Sequence, residues 1–300
     1  MRSSVRNLTA LGLLGAGLVG CGREAVETAP VARPERTADT AAPAPRGSAA
    51  GPAPARGPAA PPTMAPGPGG RTPVYTHRAK TTGGAASRAA EKVVALTFDA
   101  DMTADQGPRA AGGERFDNPR LIATLRRLGV DATVFMTGRW AEEYPDQAKS
   151  IGGDPRFEIA NHSYSHYAFA SPCYGLPTVA PADMADDVQR AFDSFRDAGA
   201  VNVVPYFRFP GGCYDDAALR ALTPTGVTAV QWDVVSGDAF AKDADAVAEQ
   251  VLDGVRPGSL VVMHCTRSAA PVTEEAVRRI VPELRARGYR FVKVSELMRG

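Results

Sequence analysis

Three histidines, four aspartates and one arginine carry the chemistry this chain can offer, and they sit in short motifs. His162-Ser163-Tyr164-Ser165-His166 sets two imidazoles at i and i+4, one helical turn apart. A segment that turns helical there aims both at one ion. Asp99 and Asp101 close an apolar run, and His264 closes another. A lone histidine is more often a packing residue, but a pair beside two carboxylates reverses that reading. Neutral imidazoles plus one carboxylate make a facial set for Zn²⁺ or a similar ion, with positions left open for water and substrate. Such an ion brings the pKa of bound water to about 7 and polarises a carbonyl oxygen. The implied chemistry is hydrolysis.

Bringing these residues together requires elements whose ends converge. From Lys92 onward, short β-rich apolar runs alternate with amphipathic stretches, the pattern of repeated strand-helix units around a parallel sheet or barrel. Seven strands are expected: Val93 to Phe98, Asp131 to Met136, Phe157 to Asn161, Val204 to Phe209, Val227 to Trp232, Ser259 to His264 and Tyr289 to Val294. Helical spacing marks Asn118 to Leu128, Arg139 to Ile151, Pro181 to Ala198, Asp215 to Leu222, Asp243 to Val255 and Thr273 to Arg287, and Gly129, Gly199 and Gly288 end three of them. Asp99 and Asp101 follow the first strand, His162 and His166 the third, Arg208 ends the fourth, Asp233 and Asp238 follow the fifth and His264 ends the sixth. In an α/β barrel the C-terminal strand ends meet on one face. Of the chain's four histidines only His77 lies elsewhere.

The rest of the chain bounds what that domain can be. With 34 basic against 33 acidic side chains and no polybasic run, nothing marks a nucleic-acid partner, and no set of long apolar stretches marks a polytopic membrane protein. Arg2 and Arg6 precede an apolar run from Leu8 to Val19, and Leu18-Val19-Gly20-Cys21 resembles a bacterial lipobox. The run is too short to cross roughly 30 Å of hydrocarbon. The expectation is export, cleavage before Cys21 and a lipid anchor on its sulfur at the outer face of the bacterial cell membrane, against an ordinary signal with a chance cysteine. Residues 22–90 are dominated by Ala, Pro, Gly, Arg and Thr, as in Ala41-Ala42-Pro43-Ala44-Pro45. Few β-branched or aromatic residues leave little to offset ordering entropy, so a disordered tether is expected. The domain map is then 1–21 signal and lipobox, 22–90 tether and 91–300 folded domain, expected to be a monomer.

Five motifs taken together are specific. Leu96-Thr97-Phe98-Asp99-Ala100-Asp101, His162 to His166, Arg208-Phe209-Pro210-Gly211-Gly212, Trp232-Asp233-Val234-Val235-Ser236-Gly237-Asp238 and Leu260-Val261-Val262-Met263-His264 occur in order from Lys92 to Val294. This set resembles the polysaccharide deacetylase family, carbohydrate esterase family 4, also called the NodB-like domain. The resemblance implies a distorted (β/α) barrel of about seven strands that removes acetyl groups from glycans with a divalent metal, commonly zinc. It implies Asp99 as general base, Arg208 holding Asp99, and His162 and His166 as metal ligands. His264 is then the general acid, with Asp238 as its carboxylate partner and Asp233 as the runner-up. The Gly211 N–H is the implied oxyanion donor.

The sequence departs from that pattern where a second aspartate usually follows the first, because Ala100 stands there and Asp101 comes next. Successive strand residues face opposite sides, so Asp101 shares a side with Asp99 if the strand continues. Asp101 is the expected third ligand; the alternative is two histidines and waters alone. Gly211 and Ala239 stand where aromatics are usual, and Trp232 is either a substitute groove wall or, by preference, barrel core. Cys173 and Cys213 follow the second and third motifs and are the favoured disulfide pair, with Cys265 a buried free thiol. The segment from Met102 to Phe116 is expected to rim the groove. The leading function is N-deacetylation of peptidoglycan or chitin-like oligomers. The alternatives are an O-acetyl esterase acting on acetylated xylan and a non-catalytic glycan-binding lipoprotein.

Overall fold

In the computed structural model, which describes residues 60–78 and 91–299, the strands are β1 (Val74–Tyr75), β2 (Val93–Ala100), β3 (Ala132–Met136), β4 (Phe157–Asn161), β5 (Val203–Phe207), β6 (Thr228–Val230), β7 (Val234–Val235), β8 (Ser259–His264) and β9 (Arg290–Phe291). They form one sheet in the order β1-β6-β5-β4-β3-β2-β8-β7, with β9 beside β2. Every pairing is parallel. Among the described residues β1 and β7 do not pair with each other, so the sheet curls into an open barrel. The helices are α1 (Gly107–Ala111), α2 (Pro119–Leu128), α3 (Gly138–Glu143), α4 (Pro145–Gly152), α5 (Met184–Asp197), α6 (Asp216–Ala221), α7 (Ala244–Gly254), α8 (Thr273–Ala286) and α9 (Val294–Leu297). The expected signal and lipobox at 1–21 lie outside the described residues.

Local chemistry sets these boundaries. Asn118 accepts from Leu121 N at 3.1 Å at the start of α2, Pro119 occupies its first turn, and Gly129 ends it in the left-handed region at φ 62°. That combination caps both ends. The single helix expected from Arg139 to Ile151 is two, α3 and α4, because Pro145 has no N–H to donate and restricts Tyr144 before it.

β2 is buried along its whole length, and its two faces pack into different layers. Val94, Leu96, Phe98 and Ala100 join the core between sheet and helices. Val93 and Ala95 join the barrel interior with Phe135, Ala160, Tyr206 and Leu260. Full burial of one such Leu or Phe stabilises by about 1.5–3 kcal/mol. The alternation puts residue 100 against the helices and Asp99 on the barrel side.

Two expectations need correction. Residues 60–78 fall inside the span expected to be a disordered tether, yet they are placed on the domain. Val74 and Tyr75 pair with Ala229 and Val230, Met64 N donates to Thr228 Oγ1 at 3.0 Å and the Tyr206 hydroxyl donates to the Pro62 carbonyl at 2.8 Å. The edge of β6 supplies the backbone partners that the segment's own composition cannot. Among the described residues the sheet holds the seven strands expected together with the two-residue β1 and β7. The fourth strand ends at Phe207 rather than Phe209, so Arg208 follows it; Pro210 then opens a short 3₁₀ turn through Gly212.

Candidate active site

The C-terminal ends of β2, β4, β5 and β8 deliver the chemical side chains to one place. Asp101, His162 and His166 each present a ligand atom, all within 4.8 Å of one another. Asp101 Oδ1 lies 3.4 Å from His162 Nε2 and 3.6 Å from His166 Nε2. That oxygen is buried and has no hydrogen-bond donor. Two ligands on one tetrahedral ion stand about 3.3–3.6 Å apart for bonds of about 2.0–2.2 Å. An orphaned carboxylate oxygen facing two imidazole nitrogens at that spacing fits a divalent cation. The N₂O donor set suits a divalent transition-metal ion.

Neighbouring groups hold these residues in place. The His162 Nδ1 faces the Arg208 carbonyl at 2.8 Å. A carbonyl can only accept, so Nδ1 carries a proton, which leaves Nε2 as the nitrogen that faces Asp101. Thr266 Oγ1 accepts from Asp101 N at 2.7 Å and fixes where β2 ends its run. The two histidines are not on a helical turn, as their spacing suggested. Ser163 and His166 have left-handed φ of 67° and 55°, and the loop is tied down instead. Asn161 Oδ1 accepts from Ser163 N at 2.8 Å, Ser163 Oγ from His166 N at 2.9 Å, and Asp187 Oδ1 on α5 from Tyr164 N at 2.7 Å and Ser165 N at 3.2 Å.

Asp99 sits beside this cluster, with Oδ2 3.8 Å from His162 Nε2. Arg208, with no exposed surface, donates from Nη1 to Asp99 Oδ1 at 2.6 Å and from Nε to the Val230 carbonyl at 3.2 Å. Its guanidinium lies 3.8 Å from the centre of the Phe135 ring. A buried arginine so placed fixes the angle of its carboxylate.

On the far side, His264 Nε2 is 4.0 Å from Asp101 Oδ2. Its Nδ1 bonds Asp238 Oδ1 at 2.7 Å. Asp238 is buried and also accepts from His264 N, Ser236 Oγ and Thr273 Oγ1 at 2.7, 2.8 and 2.7 Å. Asp233, the runner-up, bonds Ser259 Oγ and Leu260 N instead and does not reach His264.

Electrostatics separate the three imidazoles. Burial works against the His264 imidazolium, but the hydrogen bond and charge of Asp238, helped by Asp101 and Asp99, outweigh it and raise the pKa to about 10. Burial, with the neighbouring His162 and His264 charges, lowers His166 to about 4, so it is neutral with a free lone pair at neutral pH. For His162, burial is outweighed by Asp99 and Asp101 and the pKa rises. Burial would raise the Asp101 carboxyl, yet His166, His162 and His264 hold it well below the carboxylate range. His264 and His166 are thus pushed in opposite directions by their surroundings.

Gly211 and Gly212 carry the chain past the site at φ 62° and 72°. A Cβ on Gly211 would lie 2.7 Å from Cys173 Sγ, and one on Gly212 2.6 Å from the Trp232 ring, so neither position has room for a side chain. Trp232 is half-buried, packed against the barrel interior and under Gly212. Cys173 and Cys213 are joined as a disulfide with Cα atoms 6.0 Å apart. Cys265 is free and buried, its thiol pushed up to about 12 by burial. The segment after Asp101 meets the histidine loop, with Ala104 N donating to the Ser165 carbonyl at 3.1 Å.

The supporting residues Thr266, Asn161, Asp187, Ser236 and Thr273 were not anticipated. Asp187 reads as one more solvated charge on an amphipathic helix. Only the i, i+4 pair with a left-handed break between its members hints that a side chain from elsewhere is needed.

Residues 86–230 match the polysaccharide deacetylase family. The chain is 29% identical over 212 residues to a peptidoglycan-N-acetylglucosamine deacetylase of Bacillus cereus, covering 70% of this chain and 89% of that one. It is 26% identical over 207 residues to a chitooligosaccharide deacetylase of Bradyrhizobium, covering 65% and 89%. In three dimensions it is similar to a CE4 family pseudoenzyme from Bacillus anthracis, at 26% identity and a TM-score of 0.56 over 69% of this chain and 66% of that one.

Proposed function

We propose, from the premise that residues 86–230 carry a polysaccharide deacetylase domain, that this chain is a hydrolase removing acetyl groups from N-acetylated glycans, peptidoglycan or chitin-like oligomers. The observation that carries the reading is the Asp101, His162 and His166 cluster, bracketed by a charge-paired aspartate and a charge-paired histidine. These three residues would hold a divalent cation, zinc by donor type. When bound, it supplies Lewis-acid polarisation of the acetyl carbonyl and acidifies water.

The chain's own groups do the proton transfers. Asp99 accepts the proton of the attacking water, and Arg208 fixes its orientation without taking part in transfer. His264 donates a proton to the departing amine nitrogen, and Asp238 stabilises the imidazolium that waits to do so. The Gly211 N–H is the oxyanion donor. At neutral pH His264 is charged, which suits an acid at the start of the cycle.

The same groups would cleave an acetyl ester, making acetylated xylan the alternative substrate. A glycan-binding protein without turnover is favoured by Ala100 in the first motif and by the likeness to a pseudoenzyme. Acetate release from N-acetylglucosamine oligomers and from acetylated xylan, with chelator and with zinc restored, separates these readings. Chelator-sensitive release from the oligomers is expected; none from either substrate contradicts hydrolysis. Export and lipid attachment at Cys21 belong to the same proposal, since the envelope is then the nearest glycan. Labelled palmitate incorporated by the full chain should disappear in Cys21→Ala, and equal labelling of both would contradict the anchor.

A further inference from the structure

Tyr174 combines three features that core packing does not explain. It is 89% exposed, its backbone is left-handed at φ 48°, and it directly follows Cys173, which is bonded to Cys213. A non-glycine residue in that region costs on the order of 1–3 kcal/mol. An exposed ring offsets none of this by burial. The disulfide joins the loop after His166 to the turn after Arg208. Leu176 N donates to the Cys173 carbonyl at 2.9 Å, and Ala168 N to the Pro177 carbonyl at 2.7 Å, closing the loop at its base.

A Cβ on Gly211 would lie 3.2 Å from Tyr174 Cδ2, so the ring edge stands over Gly211, three residues beyond the arginine that holds Asp99. On the other strand of the disulfide, Tyr214 stacks on Phe209 with centroids 4.9 Å apart and 18° between planes, which stiffens that turn too. Tyrosine offers a large amphipathic face for the loss of few rotatable bonds. A pyranose ring is its chemical complement, because its C–H face is apolar and slightly positive against the negative face of the arene.

We propose that Tyr174 stacks on a sugar ring neighbouring the one that loses its acetyl group, and that the Cys173–Cys213 disulfide holds it ready to do so. The assignment rests on the glycan deacetylase reading and adds the residue that selects oligomers over isolated acetyl groups. Rigid preplacement removes the ordering cost that a mobile loop would bring to binding.

The test measures calorimetric binding of an N-acetylglucosamine tetramer in an Asp99→Asn background that blocks turnover, beside turnover of a small aryl acetate by chains retaining Asp99. Tyr174→Ala is expected to weaken tetramer binding about tenfold, while leaving aryl acetate turnover and melting temperature as in wild type. Tyr174→Phe should keep the affinity. Cys173→Ser with Cys213→Ser should lose affinity in the same direction. Val201→Ala, 76% exposed ahead of β5, should change nothing. Tetramer affinity within twofold of wild type in Tyr174→Ala, aryl acetate turnover falling in parallel, or no tetramer binding by the wild type overturns the proposal. Tetramer binding that depends on Tyr174 without any acetate release leaves Tyr174 assigned and removes the deacetylase reading instead.

Discussion

Replacing Asp238 by Asn should move the alkaline limit of catalysis. Asp238 lies 2.7 Å from His264 Nδ1 and is the largest influence raising the His264 pKa from 6.5 to about 10 against burial. At ~1.4 kcal/mol per unit, that displacement corresponds to about 5 kcal/mol favouring the imidazolium, close to the ~3–5 kcal/mol lost when a buried pair is broken. Without the carboxylate, burial dominates and the imidazole titrates near or below its ordinary value. Asp238→Asn should therefore shift the alkaline limb of kcat/KM from near pH 10 to about pH 7 or lower. Turnover at pH 8 to 9 should fall roughly 10²–10⁴-fold, the usual contribution of a positioned acid. Stability follows the same sign. The raised His264 pKa contributes fully below 6.5 and is lost as pH rises through about 10. The lowered Asp238 pKa contributes above 3.8 and is lost as pH falls through its folded value. The stability gap between wild type and variant should thus be widest between these limits and close at both ends. A rate profile with paired ¹H NMR titration of His264 reads both. An unmoved alkaline limb in Asp238→Asn would refute His264 as the acid.

Further outcomes follow from other contacts. Asp101→Ala should bind zinc at least ~10-fold more weakly by calorimetric titration; full metal content in that variant would show that the histidines suffice. Arg208→Met should cost about 3–5 kcal/mol in denaturant unfolding, because Asp99 is left buried and unpaired; a loss under 1 kcal/mol would count against that pair. Asp187→Asn should weaken zinc binding through the histidine loop while the metal-free melting temperature falls by only a few degrees. A large metal-free loss with unchanged zinc affinity would make Asp187 a structural residue only.

Much of the fold was legible because burial on both faces writes continuous apolar runs. Phe157–Asn161 and Ser259–His264 coincide with the strands expected. β1 and β7 span two residues each, below the length at which any periodicity shows. β1 moreover depends on an edge about 150 residues distant in sequence, which composition around it cannot report. In the site, the residue types that can bind or transfer protons announced themselves at strand ends. The alternation of β2 supports the choice of Asp101 over position 100, since Ala100 packs in the helical layer. Helical spacing misled at His162 and His166, where the pair is made by a left-handed break and by hydrogen bonds that the loop's backbone donates to Asn161 Oδ1, Ser163 Oγ and Asp187 Oδ1. Ordinary polar residues that act only through what they hold have no distinctive pattern in a single sequence.

We propose that Asp101 completes the ligand set begun by the two histidines. Crystals grown with zinc and measured on both sides of its absorption edge test it directly. One anomalous peak is expected about 2.0–2.2 Å from Asp101 Oδ1, His162 Nε2 and His166 Nε2 together. A peak bound to the histidines with Asp101 turned away, or no peak between them, contradicts it.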